Sequence, residues 1–125
     1  MYKYKDANNL LIKKFPVLDK IYKEDEDYYV DLPYLFYEPF FTKYIIDKVN
    51  SNDFKALEEV FDFVEDMFVN SDEEIKNLIG VAVVESLSYE KDFMARYQEF
   101  EFLFGPLTLK SFEAIDWVPK GTSEK

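Results

Sequence analysis

Residues 53–70, DFKALEEVFDFVEDMFVN, and residues 71–87, SDEEIKNLIGVAVVESL, decide the fold. They read as two consecutive helices of opposite character. In the first, from Phe54 to Val69, Phe54, Leu57, Val60, Phe61, Phe63, Val64, Met67 and Phe68 fill one half of a helical wheel. Glu58, Glu59, Asp62, Glu65 and Asp66 fall within about 120° of one another on the other half, at about 100° per residue. Asp53 suits the N-cap of this helix, and Asn70-Ser71-Asp72 repeats the same turn chemistry before the next. Asp72, Glu73 and Glu74 then lie in a first turn, where acids favour the helix dipole. The second helix runs to about Ser88. Ile75, Leu78, Ile79, Val81, Ala82, Val83, Val84 and Leu87 point in nearly every direction around it, the pattern of a helix buried on most sides. Gly80 costs about 1 kcal/mol relative to Ala in a helix interior, and close approach of another helix is the expected compensation. Glu85 stands in this apolar context. It is expected to pair with Lys, Arg96 or a Tyr hydroxyl, or else to be an acid of raised pKa.

Towards the N-terminus, residues 5–14 form an amphipathic helix with Asp6 at its cap and Leu10, Leu11 and Phe15 inward. Pro16 marks a boundary, after which Val17, Leu18, Ile21 and Tyr22 recur at helical spacing. Glu24-Asp25-Glu26-Asp27 reads as a solvated last turn and loop, since the spacing and Gly of an EF-hand are missing. The segment 28–41, YYVDLPYLFYEPFF, is interrupted by Pro33 and Pro39. Its rings read either as a plug closing one end of the core or as an exposed binding patch. A helix from about Pro39 to Val49 follows, with Phe40, Tyr44, Ile45 and Val49 as its stripe.

Towards the C-terminus, Ser88 suits the cap of a helix from Tyr89 to Phe104, with Phe93, Met94, Tyr97, Phe100 and Phe104 inward. Gly105-Pro106 is a boundary, Gly at a left-handed C′ position and Pro in the next first turn. A last helix, Leu107 to Trp117, carries Leu109, Phe112 and Ile115 and stops at Pro119. No stretch alternates as a strand does. The reading is all-α: six or seven short antiparallel helices in an irregular bundle or a short HEAT-like stack, with no convincing internal repeat. One domain spans residues 1–119, and residues 120–125 form a polar tail expected to fray.

The chain has 125 residues, 48% of them apolar and 19% aromatic, enough for a real core. It has no Cys, which excludes disulfides and thiolate chemistry and suits a reducing compartment. With no apolar run long enough to span a bilayer and no secretory leader in its first residues, it reads as a cytoplasmic protein. The net charge of −11 argues against nucleic acid and anionic membranes as partners, and permits a basic protein. The charge is unevenly placed. Residues 1–23 hold six lysines and two aspartates, whereas residues 53–74 hold nine acids and one lysine.

Without His or Cys, the usual catalytic triads, His metal sites and neutral-pH proton shuttles are excluded. Three glycines form no phosphate-binding loop. A carboxylate-pair hydrolase is the one catalytic class left open, and it requires a deep pocket with two acids about 5–9 Å apart. The reading is therefore a protein without catalytic residues, metal or cofactor. The acid half of the 54–69 helix keeps a single sign, although like charges at i, i+4 (Glu58/Asp62, Asp62/Asp66) oppose helix formation by a few tenths of a kcal/mol. A solvated face on an acidic protein is one explanation. Electrostatic steering of a basic partner is the other.

The pattern FDFVEDMFVNSDEEIKNLIGVAVVESL (61–87), followed by FLFGPLTLKSFEAID (102–116), resembles small bacterial helical proteins of the DUF7674 type. The similarity covers roughly residues 33–117. Some such proteins look like immunity partners in polymorphic-toxin and contact-dependent-inhibition systems. The resemblance implies a protein that binds and neutralises a cognate toxin, nuclease-like and basic, by placing carboxylates where phosphates would lie. Partner contacts are then expected from Glu58, Glu59, Asp62, Glu65 and Asp66, with Asp25, Glu26, Asp27, Asp72, Glu73 and Glu74 as secondary contacts. Tyr28, Tyr34 or Tyr37 would be aromatic anchors. A non-catalytic HEAT-like adaptor is the alternative.

Overall fold

Local capping frames the central hairpin as expected. The computed structural model describes residues 1–120. In it the Asp53 carboxylate accepts from Ala56 N (3.1 Å) and opens helix α6, Phe54–Asn70. Asn52 takes the left-handed conformation just before it (φ 57°), which Asn tolerates better than most residues. The Asp72 carboxylate accepts from Ile75 N (2.9 Å) and opens α7, Glu73–Leu78. The helix continues as a π-helical segment, Ile79–Glu85, into the short α8, Ser86–Ser88.

Before this hairpin lie α1 (Ala7–Lys14), α2 (Asp19–Glu24) and α3 (Glu26–Tyr29). One helical run then spans residues 33–50 as α4 (Pro33–Phe36), a π-helical segment (Tyr37–Phe41) and α5 (Thr42–Asn50). After the hairpin come α9 (Lys91–Met94), α10 (Tyr97–Phe100), a 3-10 turn (Glu101–Leu103) and α11 (Pro106–Glu113). No strand occurs among the described residues, and the fold is an all-α irregular bundle.

Within one continuous hydrophobic core the aromatic rings form two clusters with α6 between them. On one side, Phe63 meets Phe15 and Phe41 edge-on, with centroids 5.5 and 5.8 Å away. Tyr22, Tyr29, Phe36 and Phe40 extend the ring packing around the α4 end of this side. On the other side, Phe61 meets Phe104 at 4.7 Å and Phe93 at 6.2 Å. Phe93, Tyr97, Phe100, Phe104 and Phe112 pack against one another, Phe93 stacked on Phe100 and Phe104 on Phe112. Each ring removes roughly 150–250 Å² from water, so a small chain reaches a large buried area. The 28–41 segment serves as both plug and surface. Phe36, Tyr37 and Phe41 are fully buried, whereas Tyr28, Val30, Leu32 and Leu35 are exposed.

Several expectations are corrected. Pro39 does not start a helix. Pro33 does, and Pro39 lies inside the run, where a proline lacks its N–H and crowds the carbonyl four residues earlier. The π-helical turn at 37–41 accommodates this misfit. Gly80 is approached by no other helix among the described residues, since a Cβ built there would meet none of their atoms outside its own turn within 4 Å. Glu85 is exposed, and with Asn77 and Val81 it leaves an open stripe on a helix expected to be covered almost all round. The expected 89–104 helix breaks at Ala95–Arg96. There Arg96 Nη1 donates to the helix-end carbonyl of Val49 (2.8 Å) and its guanidinium lies over Phe100, so a tertiary contact overrides the local pattern. Ser88 is no cap. It is buried, and its carbonyl accepts from Trp117 Nε1 (2.9 Å). Val17, expected inward, is 66% exposed. The last helix ends at Glu113 rather than Trp117. Lys120 Nζ donates to the carbonyls of Ile115 and Val118, and the rest of the expected tail lies outside the described residues.

Candidate partner-binding surface

Eight buried side chains hold α6 from Ala56 to Phe68, so its polar face is presented on a rigid support. The five acids expected on that face divide into two kinds. Glu58, Glu59 and Asp62 are exposed and form neither hydrogen bond nor ion pair among the described residues. Glu65 and Asp66, one turn on, are built into the fold.

Glu65 caps α11 from 41 residues away. Its carboxylate accepts from Leu107 N (3.1 Å), Thr108 N (2.9 Å) and Thr108 Oγ1 (2.9 Å). The two amides are the donors an N-cap side chain would satisfy, and the residue at the cap position is Gly105, which has no side chain to do so. Gly105 is extended (φ −74°), not left-handed as expected at a helix end. It is needed for a different reason: a Cβ there would overlap the Glu65 carboxylate.

Asp66 accepts from Tyr2 OH (2.8 Å) and Asn70 Nδ2 (2.6 Å). This bond is the chief reason the Tyr2 phenol is pushed above its ordinary pKa. The N-terminal segment is fastened further by two backbone bonds, Tyr2 N donating to Asn70 O (2.7 Å) and Asp72 N donating to Tyr2 O (2.9 Å). Asp72, besides capping α7, accepts from Tyr4 N (3.0 Å). The Ile75 amide first, then that of Tyr4 and the charge of Lys3, hold its carboxyl below the usual range. Glu73 pairs with Lys76 at 3.4 Å, and Glu74 is exposed.

Asp25, Glu26 and Asp27 are exposed at the α2–α3 junction, and Tyr28 beside them is 51% exposed. Tyr34 is half-buried, with its hydroxyl accepting from Asn77 Nδ2 (3.0 Å). Tyr37 is corrected outright as an anchor. It is completely buried, its hydroxyl donates to Ala7 O, and burial pushes its phenol pKa well up. A ring in that position stabilises the core and cannot reach a partner.

Two features escape the sequence pattern. Val30, Leu32 and Leu35 are exposed beside Tyr28 and are flanked by Glu24–Asp27 and Asp31, giving an apolar and acidic surface. In addition, a hollow of about 390 Å³ lies between α1 and α6, lined by Tyr2, Leu10, Lys13, Lys14, Phe63, Asp66 and Met67. The excess of lysine in residues 1–23 was the visible trace of this second feature. A smaller hollow of about 280 Å³ gathers Glu38, Asp47 and Glu90, with Asp47 paired to Lys43 at 3.3 Å. No cluster of Asp and Glu suited to holding a metal ion occurs among the described residues. No described helix is long and apolar enough to cross a membrane.

Comparison with curated proteins and with solved structures gives no match. The family model described as "Domain of unknown function (DUF7674)" matches residues 8–117, which takes in every helix from α1 to α11 except the first residue of α1. With the central hairpin, the Glu65–Gly105 cap and the ring clusters all inside that span, the chain belongs to the DUF7674 family.

Proposed function

We propose that this protein is an immunity-type inhibitor that binds a basic, nuclease-like toxin domain. The observation that carries the reading is the unpaired state of Glu58, Glu59 and Asp62 on one rigidly packed helix. Carboxylates at i and i+4 repeat about every 6 Å along a helix axis. Such a row can occupy a lysine- and arginine-lined groove that otherwise receives phosphates. Long-range attraction raises the encounter rate, and apolar contacts supply affinity once the two proteins dock. The exposed Tyr28, Val30, Leu32 and Leu35 also suit the second reading, a non-catalytic adaptor that grips its partner by apolar contact.

The test starts with co-purification of the product of the neighbouring gene and with growth rescue on co-expression. Association kinetics of Glu59→Lys/Asp62→Lys then probe the ridge. The expected result is association slowed by about tenfold or more at low ionic strength, with a flatter salt dependence. Unchanged association would remove the electrostatic part of the proposal. A neighbouring product that is an enzyme subunit, with no toxicity to relieve, would favour the adaptor.

A further inference from the structure

The hollow between α1 and α6 lies next to the free acids of the ridge, and its walls are zoned by chemistry. The floor is apolar, formed by Leu10, Phe63 and Met67. The α1 wall carries Lys13 and Lys14, which are exposed and form no ion pair among the described residues, although the chain has 26 acids. The acid in the α6 wall is Asp66, engaged by Tyr2 and Asn70. Outside that lining, one and two turns earlier on the same helix, lie Asp62 and Glu59, which form no side-chain hydrogen bond or ion pair among the described residues. An apolar trough thus has unpaired lysines on its α1 wall, while the helix forming its other wall continues into unpaired acids, in a protein of net charge −11.

From this zoning we infer that the trough receives an amphipathic helix of the partner protein. That helix seats a large apolar side chain over Leu10 and Phe63. It turns basic residues towards Glu59 and Asp62, and at least one acidic residue towards Lys13 and Lys14. The inference rests on the proposed function and specifies how the partner docks. The volume of about 390 Å³ is the size of a pocket that anchors a bulky side chain. Charge complementarity selects the occupant: a uniformly basic helix would be repelled by the lysine wall, and a uniformly acidic one by the ridge.

Three synthetic helical peptides with the same leucine–phenylalanine stripe test this. One has lysines on one border and glutamates on the other, one has lysines on both borders, and one has glutamates on both. They are titrated into the protein with methyl NMR reporting on Leu10 and Met67. The mixed-border peptide is expected to bind about tenfold more tightly than the all-lysine peptide and to shift those methyls. In Lys13→Glu/Lys14→Glu, whose exposed positions tolerate the change, the all-lysine peptide is expected to overtake it. The inference is overturned if the all-lysine peptide binds the wild-type protein at least as tightly, or if no peptide moves those methyls. Ridge variants that slow toxin association, with lysine variants that do not affect it, would leave the proposed function standing and remove this docking mode.

Discussion

The two halves of α6 carry the same kind of acid at the same helical spacing and use it in opposite ways. In the C-terminal half, Glu65 and Asp66 tie α11 and the N-terminal segment to the helix. In the N-terminal half, the Glu58, Glu59 and Asp62 side chains form no hydrogen bond or ion pair among the described residues. On a wheel the five are one stripe. What separates them is the neighbour each one meets: a glycine-started helix beside Glu65, a tyrosine hydroxyl beside Asp66, and solvent beside the rest. An acid that satisfies a helix end is part of the fold, whereas an acid left unpaired among like charges is available to a partner.

The largest effect is expected at the Glu65–Gly105 pair. Glu65→Ala removes three hydrogen bonds at the start of α11 and should cost about 1–2 kcal/mol, the range of a lost N-cap. Gly105→Ala should cost a similar amount by a different route, because its Cβ displaces the same carboxylate. The two losses are one loss. In the double variant the clash has no object, and an alanine at an extended backbone position restricts the unfolded chain, so Gly105→Ala should be neutral or stabilising by about 0.5 kcal/mol there. Urea melts of the four proteins form the cycle. Additive losses would show that Glu65 does not cap α11.

This pair also shows where the limit of reading the chain lies. The helix at 54–70, its cap at Asp53, the cap at Asp72 and the end near Ser88 were legible because each depends on residues within four positions of one another. Gly105 was legible as a boundary, but for the wrong reason, since the carboxylate that requires it lies 40 residues away. Likewise Tyr37 looks like any other ring in its segment until the Ala7 carbonyl is found against its hydroxyl. The break at Arg96 depends on the end of α5. Apolar and acidic periodicity reports which face of a helix is polar. It does not report which polar groups will be engaged by distant parts of the chain, and that distinction separates the free part of the ridge from the rest.

A smaller effect is expected at Tyr2. Tyr2→Phe keeps the ring and deletes one bond to a carboxylate, which should cost about 1 kcal/mol, because Asp66 keeps Asn70 and partial access to water. If the melt of this variant is unchanged, Asp66 belongs with the free half of the ridge. Asp72 adds a pH dependence. Its carboxyl is held below its ordinary value of 3.8, chiefly by the Ile75 amide. A depressed carboxyl stabilises the fold above its unfolded pKa and loses that contribution as pH falls through the folded one. Asp72→Asn should therefore lose less stability than wild type between about pH 6 and about pH 3. Equal losses would show that Asp72 does not contribute to the acid sensitivity.

The smallest effect is expected in the free half of α6, and its sign is the informative part. Glu58 and Asp62 are one turn apart on an exposed face with no cation between them to offset their repulsion. Like charges at that spacing oppose the helix by about 0.2–0.5 kcal/mol. Glu58→Gln/Asp62→Asn deletes the repulsion and changes side-chain size little, although Asn forms helix no better than Asp, so the gain is carried by charge alone. The double variant should be as stable as wild type or more stable by a few tenths of a kcal/mol, and the gain should shrink in high salt as screening removes what the substitution removed. A loss of 1 kcal/mol or more, comparable to Glu65→Ala, would mean that these acids also stabilise the fold. The two halves of α6 would then not differ, and the unpaired ridge on which the binding proposal stands would no longer be distinct from the capping acids beside it.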